Sequence, residues 1–292
     1  MREVASSIAS TLGLRLECGP AARIQGGCIN ECYRWESLAG PLFVKIADPC
    51  GRAVFEAEAR GLQELARSHA VRIPKVMGVG ASGSRSWLVL EWIQFGPIHP
   101  ACEVALGEQL ALQHRATSDK FGFDSDNTIG STRQPNPRDA DWIRFFREHR
   151  LRYQLELARD NGYSGPLQQR GERLAECMGA LFTGYAPAPS LLHGDLWGGN
   201  WSADLNGAPI LFDPAVYYGD READIAMTRL FGGFGRDFYA AYESAWPLAD
   251  GARERIGLYN LYHVLNHLNL FGAAYLKQCR QLTDGLLSLC GH

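Results

Sequence analysis

Asp195, Asn200 and Asp213 are the residues whose types and spacing could do chemistry. The first two lie in Leu192-His193-Gly194-Asp195-Leu196-Trp197-Gly198-Gly199-Asn200, and the third closes Leu211-Phe212-Asp213. An aspartate, an asparagine five positions later and a second aspartate downstream form the pattern of a phosphoryl-transfer loop. Asp195 would accept the proton of an attacking hydroxyl, while Asn200 and Asp213 offer two hard oxygen ligands of the kind magnesium takes beside nucleotide phosphates. Such a reaction depends on positioning and charge neutralisation, so a cation and a cover over the phosphates are also needed. Gly26-Gly27 supplies a turn with bare backbone, Lys45 ends a short apolar run and could hold phosphate, and Glu58 in the next helical segment could orient the lysine. Each alone has an ordinary reading, as a hairpin turn, a strand-end cation and a solvated helix charge. Their joint order carries the weight.

The elements that position these residues follow from periodicity. Val4, Ile8 and Leu12 stand four apart before Gly13, which predicts a short amphipathic helix. Cys32 to Trp35 and Pro41 to Ile46 read as strands, as do Lys75 to Gly80 and Ser86 to Glu91 around the turn Ala81 to Ser84. Between the two pairs, Ala53 to His69 predicts a helix with Leu62, Leu65 and Ala66 on one face. Gly96-Pro97 then breaks the chain, and the lobe boundary is placed there, giving 1–95 and 96–292. Beyond it the pattern is helical over 103–115, 142–159, 168–184 and most of 254–289, with 116–140 as a long loop. Trp201-Ser202, the turn Leu205-Asn206-Gly207 and Pro209 to Asp213 predict a hairpin that returns Asn200 and Asp213 to one place.

With 292 residues, 46% of them hydrophobic, the chain can bury a large core as one domain or two lobes. A net charge of -3 gives no basic footprint, which excludes nucleic acid as an expected partner. No apolar run approaches bilayer length and no leader pattern opens the chain, so a cytoplasmic protein without a membrane partner is expected. The 8 cysteines are scattered over a chain that does not need disulfide staples, and reduced thiols fit better than bridges or a structural zinc site.

Several stretches together resemble the fructosamine kinase, or ketosamine kinase, family. They are His193-Gly194-Asp195-Leu196-Trp197-Gly198-Gly199-Asn200, Phe212-Asp213-Pro214-Ala215, Tyr217-Tyr218-Gly219-Asp220-Arg221-Glu222 and Leu230-Phe231-Gly232-Gly233-Phe234. Gly26-Gly27-Cys28-Ile29-Asn30-Glu31, Phe43-Val44-Lys45, Lys120-Phe121-Gly122-Phe123 and Asn266-His267-Leu268-Asn269 also match. The resemblance implies an α+β, two-lobed protein-kinase-like fold, similar to aminoglycoside and choline phosphotransferases, with a small antiparallel-sheet N-lobe and a mainly helical C-lobe. It implies ATP and Mg2+ as cofactors and phosphorylation of a sugar hydroxyl on a ketosamine or glycated lysine, a deglycation repair activity. Gly26, Gly27, Cys28, Lys45 and Glu58 would then serve the nucleotide, with Glu91, Trp92 and Ile93 as the hinge whose backbone meets the adenine. Asp224 would brace the catalytic loop from a helix start. Asp213 is followed by Pro214-Ala215 instead of Phe-Gly, and no Ala-Pro-Glu segment follows, both departures from protein kinases.

For the acceptor, Trp197 and His267 are the candidates, since aromatic and amide groups suit a sugar on an alkyl amine. Their alternatives are a hydrophobic plug and a satisfied core histidine. His193 is expected to pack and hydrogen-bond within its loop. Cys28, in the expected phosphate loop, could be oxidised or joined to a second chain's Cys28, giving a monomer or a redox-dependent dimer. Two other activities stay open: a related phosphotransferase for an aminoglycoside, choline or another small alcohol, and a nucleotide-binding pseudokinase. The first should show carboxylates around its acceptor site and the second a missing Lys, Asp or Asn.

Overall fold

Alternation along two central strands decides which residues of the first lobe meet. A computed structural model describes residues 1–14, 21–24 and 31–291. The chain opens with helix α1 (Arg2–Leu12), closed by Gly13 in the left-handed conformation. Strands β1 (Ala22–Ile24), β2 (Glu31–Trp35) and β3 (Leu42–Ala47), helix α2 (Gly51–Arg67), and strands β4 (Val76–Ser82) and β5 (Arg85–Glu91) follow. The five strands form one antiparallel sheet in the order β1-β2-β3-β5-β4. Leu42, Val44 and Ile46 on β3 and Trp87 and Val89 on β5 share a core with Val4 and Ile8 of α1. Because successive side chains of a strand take opposite faces, Lys45 and the pair Leu88 and Leu90 face the other way, toward α2. That face packs on Phe55, Leu62 and Leu65. Glu58, three residues after Phe55, therefore points at the same face as Lys45.

A two-residue strand β6 (Phe95–Gly96) leads into α3 (Pro100–His114), which has a proline in its first turn where no amide hydrogen is missed. The segment expected to be a structureless loop holds a small hairpin, β7 (Asn127–Ile129) with β8 (Thr132–Gln134). Its alternation is too short to register as a period, and Gly130 at φ 61 makes the turn. The helix expected over 142–159 is α4 (Trp142–Phe146), a π-helical stretch over Arg147–Arg152 and α5 (Tyr153–Asp160). The extra residue of that stretch turns Arg150 inward, where its guanidinium lies 4.2 Å from the Tyr217 ring centroid and donates to Pro135 and Asn136.

Helix α6 (Pro166–Cys177) ends in a 3-10 turn over Met178–Phe182. Strand β9 (Ser190–Leu192) then precedes the glycine-rich loop, and β10 (Trp201–Asp204) and β11 (Pro209–Leu211) follow it as the expected hairpin. The second hairpin strand ends at Leu211, two residues before Asp213, whose φ of 55 takes it out of the strand. Strand β10 also pairs with β6, so the residues on both sides of the expected lobe boundary are tied to the site hairpin. Strand β12 (Tyr217–Gly219) pairs with β9. Helices α7 (Glu222–Leu230), α8 (Arg236–Ala245), α9 (Ala252–Phe271) and α10 (Leu276–Leu289) complete the chain, and α8 packs along α3. One apolar core runs from the α2 face of the sheet through the helical part. Among the described residues no helix is long and apolar enough to cross a membrane.

Candidate active site

Two connections bring the site together: the β3–α2 face of the sheet, and the loops on either side of the β10–β11 hairpin. Lys45 is buried and donates to Glu58 Oε1 at 2.7 Å, and its Nζ also meets Asp213 Oδ1. Burial alone would lower the Lys45 ammonium, but the carboxylates of Glu58 and Asp213 raise it, so it stays charged. Asp213 is the exposed partner, with its side chain at 47% of full accessibility. Its second carboxylate oxygen has no protein partner among the described residues.

Asn200 links Asp213 to Asp195. Its Nδ2 donates to the Asp195 backbone oxygen at 2.9 Å, to Asp195 Oδ2 at 3.1 Å and to the Asp213 backbone oxygen at 3.3 Å. With the nitrogen so committed, Oδ1 of Asn200 and the second oxygen of Asp213 are the donors left over, and hard oxygens fit magnesium. Burial pushes the Asp195 carboxyl up to about 7, the Asn200 hydrogen bond opposing it and the Asp213 and Asp224 charges adding to it. A carboxyl held there is a proton acceptor matched to neutral pH.

The backbone of this loop is fixed from below. Asp224, in the first turn of α7, accepts from the amides of His193 at 2.7 Å and Gly194 at 2.8 Å. His114 Nε2 reaches the same carboxylate at 3.1 Å, and its Nδ1 lies 2.8 Å from the Tyr242 hydroxyl. Burial alone would raise the Asp224 carboxyl, but the hydrogen bonds from His114 and the Gly194 amide bring it below its ordinary value. Burial lowers His114 and His193, which keeps both imidazoles neutral. His193 Nε2 donates to Phe212 O at 3.0 Å while its Nδ1 accepts the Asp195 amide at 3.3 Å, an internal hydrogen-bonding role. Gly194 has φ 82, and a Cβ there would stand 2.0 Å from the Ala215 carbonyl oxygen. Only glycine lets the segment after β9 approach the one before β12 so closely.

Glu91, Trp92 and Ile93, the expected hinge, lie at the end of β5 and just after it. Glu91 donates its amide to Lys75 O at 2.8 Å, and Arg72 holds its carboxylate at 2.9 Å while also pairing with Asp204 of β10. Trp92 packs 6.4 Å from Phe43, with the Arg34 guanidinium 5.2 Å from its ring centroid, and Ile93 is half-buried. Trp197 is 40% exposed and its ring covers Gly199, where a Cβ would meet it at 2.3 Å. His267, half-buried on α9, donates Nδ1–H to His263 O at 2.8 Å and lies 4.6 Å from the Phe231 ring. Lys45, Glu58, Asp195, Asn200 and Asp213 are thus joined in one chain of contacts. Gly26, Gly27 and Cys28 lie outside the described residues, so the expected phosphate cover and thiol switch have no structural description. His114 and Arg72 had no signal in the sequence: one is a lone histidine in an apolar helix, the other a surface arginine whose partners are far away in the chain.

The fructosamine kinase family model matches residues 1–289. A probable ketoamine kinase of Synechocystis sp. is 42% identical over 287 residues, covering 98% of this chain and 96% of the relative. A chloroplastic protein-ribulosamine 3-kinase of Oryza sativa subsp. indica is 43% identical over 269 residues, 91% of this chain and 78% of its own. Among solved structures, a proposed fructosamine-3-kinase of Thermobifida fusca superposes with a TM-score of 0.87 at 33% identity, covering 99% of each chain.

Proposed function

Because the chain belongs to the fructosamine kinase family, we propose that it transfers the terminal phosphoryl group of ATP to a sugar hydroxyl of a ketosamine, the adduct of a reducing sugar with an amine. The observation that supports this reading best is the unbroken contact chain Glu58, Lys45, Asp213, Asn200, Asp195. It joins a phosphate-binding cation to a proton acceptor through two oxygen ligands. None of the residues whose loss marks a pseudokinase is missing. We assign residues 1–95 to the nucleotide lobe and 96–292 to the catalytic and acceptor lobe, with the backbone of Glu91, Trp92 and Ile93 at the adenine.

In the reaction, Lys45 leaves part of its pairing with Asp213 to hold nucleotide phosphate, with Glu58 keeping it oriented. Asn200 Oδ1 and the free oxygen of Asp213 are the groups that would hold magnesium, which when bound neutralises charge on the phosphates. Asp195 takes the proton of the acceptor hydroxyl as that oxygen bonds to the terminal phosphorus and the bond from this phosphorus to the bridging oxygen of the departing ADP breaks. Asp224 keeps the amides around Asp195 from shifting. Trp197 faces the acceptor beside the base. On His267, Nδ1–H is spent on a carbonyl, which leaves Nε2 as an acceptor for a sugar hydroxyl or the ketosamine N–H.

The activity fits a cytoplasmic deglycation role, with neither nucleic acid nor membrane as partner, and a monomer unless Cys28 joins two chains. An assay of ATP consumption against ribulose-lysine, fructose-lysine, choline and kanamycin tests the reading. Turnover is expected with one or both ketosamines, with strict dependence on magnesium and loss in Asp195→Asn. Turnover of kanamycin alone would move the chain to a drug-modifying class.

A further inference from the structure

Asp224, which braces the catalytic loop, is a buried carboxylate whose third donor is an imidazole and not a cation. Behind that imidazole the contacts continue. His114, the last residue of α3, has Nε2 3.1 Å from Asp224 Oδ2 and Nδ1 2.8 Å from the Tyr242 hydroxyl on α8. Nη1 of Arg221 lies 3.0 Å from the same hydroxyl, and the guanidinium also donates to Trp246 O at 2.9 Å and Pro247 O at 2.6 Å. Arg221, Tyr242 and His114 are all buried, so this line of contacts runs through the interior.

The groups at the two ends fix every proton along it. An ionised carboxylate only accepts, so Nε2 of His114 carries its hydrogen. Burial keeps the imidazole neutral, and Nδ1 is then a bare acceptor that takes the single hydrogen of the Tyr242 hydroxyl. A guanidinium only donates, so the Tyr242 oxygen accepts from Arg221. All three hydrogen bonds point one way, from a buried cation to a buried anion, and bonds aligned like this polarise one another. Tyr242 is the member that selects a tautomer. Without its hydroxyl the Nδ1 side no longer favours the Nε2–H form, and the other form turns a lone pair toward Asp224.

We propose that Tyr242, held by Arg221, is a positioning residue for phosphoryl transfer: it fixes the His114 tautomer, and His114 fixes the carboxylate that holds the His193 and Gly194 amides beside Asp195. This rests on the ketosamine kinase reading above and adds to its machinery a buried residue of α8. The packing of α8 along α3 is what brings the two side chains together. Their rings meet edge-on, with centroids 5.7 Å apart and planes at 72°. That ring contact does not need the hydroxyl, so Tyr242→Phe removes the hydrogen bond and leaves the packing.

The test uses Tyr242→Phe, His114→Leu, His114→Gln and the combination of Tyr242→Phe with His114→Leu, all in the full chain. An amide carries its donor and its acceptor on separate atoms and has no tautomer, so His114→Gln keeps both contacts. With the better of ribulose-lysine and fructose-lysine as acceptor, Tyr242→Phe is expected to lower kcat roughly fivefold with both KM values little changed, the size of one hydrogen bond. His114→Leu lowers kcat by roughly tenfold or more, and His114→Gln restores most of it. Added to His114→Leu, Tyr242→Phe costs nothing further, because it acts only through the imidazole. Long-range proton–nitrogen spectra of the histidine rings, with His114 assigned by its absence in His114→Gln, show the Nε2–H form alone in the wild type and both forms in Tyr242→Phe. Additive losses in kcat, no gain of His114→Gln over His114→Leu, or an unchanged tautomer in Tyr242→Phe overturns the relay. A wild type that phosphorylates neither ketosamine overturns the kinase reading, while the spectra, which need no turnover, still decide the tautomer. If His114→Leu does not fold, the kinetics and spectra of Tyr242→Phe decide alone.

Discussion

At the level of single residues, the decisive quantity is the proton affinity of Asp195. Burial raises that carboxyl to about 7. A base works only when deprotonated, so the raised value removes active enzyme as pH falls through 7 and leaves a plateau above it. We therefore expect log kcat/KM to rise with unit slope up to about pH 7 and then level, in a profile taken at saturating nucleotide. Asp195→Asn should lose roughly 10²–10⁴-fold in kcat, the span of general-base catalysis, and lose that acid limb, with nucleotide affinity from titration little changed. Gly194 is equally constrained by geometry alone. Gly194→Ala would push a methyl into the Ala215 carbonyl at a positive φ, and a loss of more than about 2 kcal/mol in chemical denaturation is expected.

At the level of elements, the catalytic loop is held by the start of a helix and the hinge by a three-way ion pair. Asp224 is buried with three donors on it, and its removal strands two amides and an imidazole. Asp224→Ala should cost about 3 kcal/mol or more in stability and lower kcat more than the nucleotide KM, measured by denaturant titration and steady-state kinetics. Arg72 joins Glu91 at the hinge to Asp204 in the hairpin that carries Asn200. Since Arg72 is 40% exposed by side chain, its pairs contribute little to stability, and Arg72→Met should act mainly on the nucleotide KM, raising it by a few-fold. The sequence foretold most of these elements because their apolar periods are long: β3, β5, α2 and α9 are clear from Phe43-Val44, Trp87 to Leu90, Leu62 with Leu65, and Tyr259 to Leu268. The β7–β8 hairpin and the π-helical turn were hidden. A strand of three residues has no measurable period, and an extra residue in a helix shifts the register without changing composition.

For the whole molecule, Lys45 of the sheet and Asp213 of the loop after β11 meet directly, so nucleotide and metal are expected to bind as a unit. ATP with magnesium at about a hundredfold above Kd stabilises by about 2.7 kcal/mol, a Tm rise of about 5 °C. Chelation with EDTA should remove most of that rise, and Asp213→Asn should make the response indifferent to magnesium in differential scanning fluorimetry. Asp213 is exposed enough that this variant keeps its fold. By itself the sequence determined the order of chemical parts, from Lys45 and Glu58 to Asp195, Asn200 and Asp213, because residue type and local spacing are properties of the chain. The pairing of Lys45 with a carboxylate 168 positions away, the burial that lifts Asp195, and the gathering of Phe231 and Phe271 around His267 were decided only by tertiary structure. Distance, solvent exclusion and ring contact depend on which surfaces pack together, and packing is a property of the folded chain that no local stretch encodes.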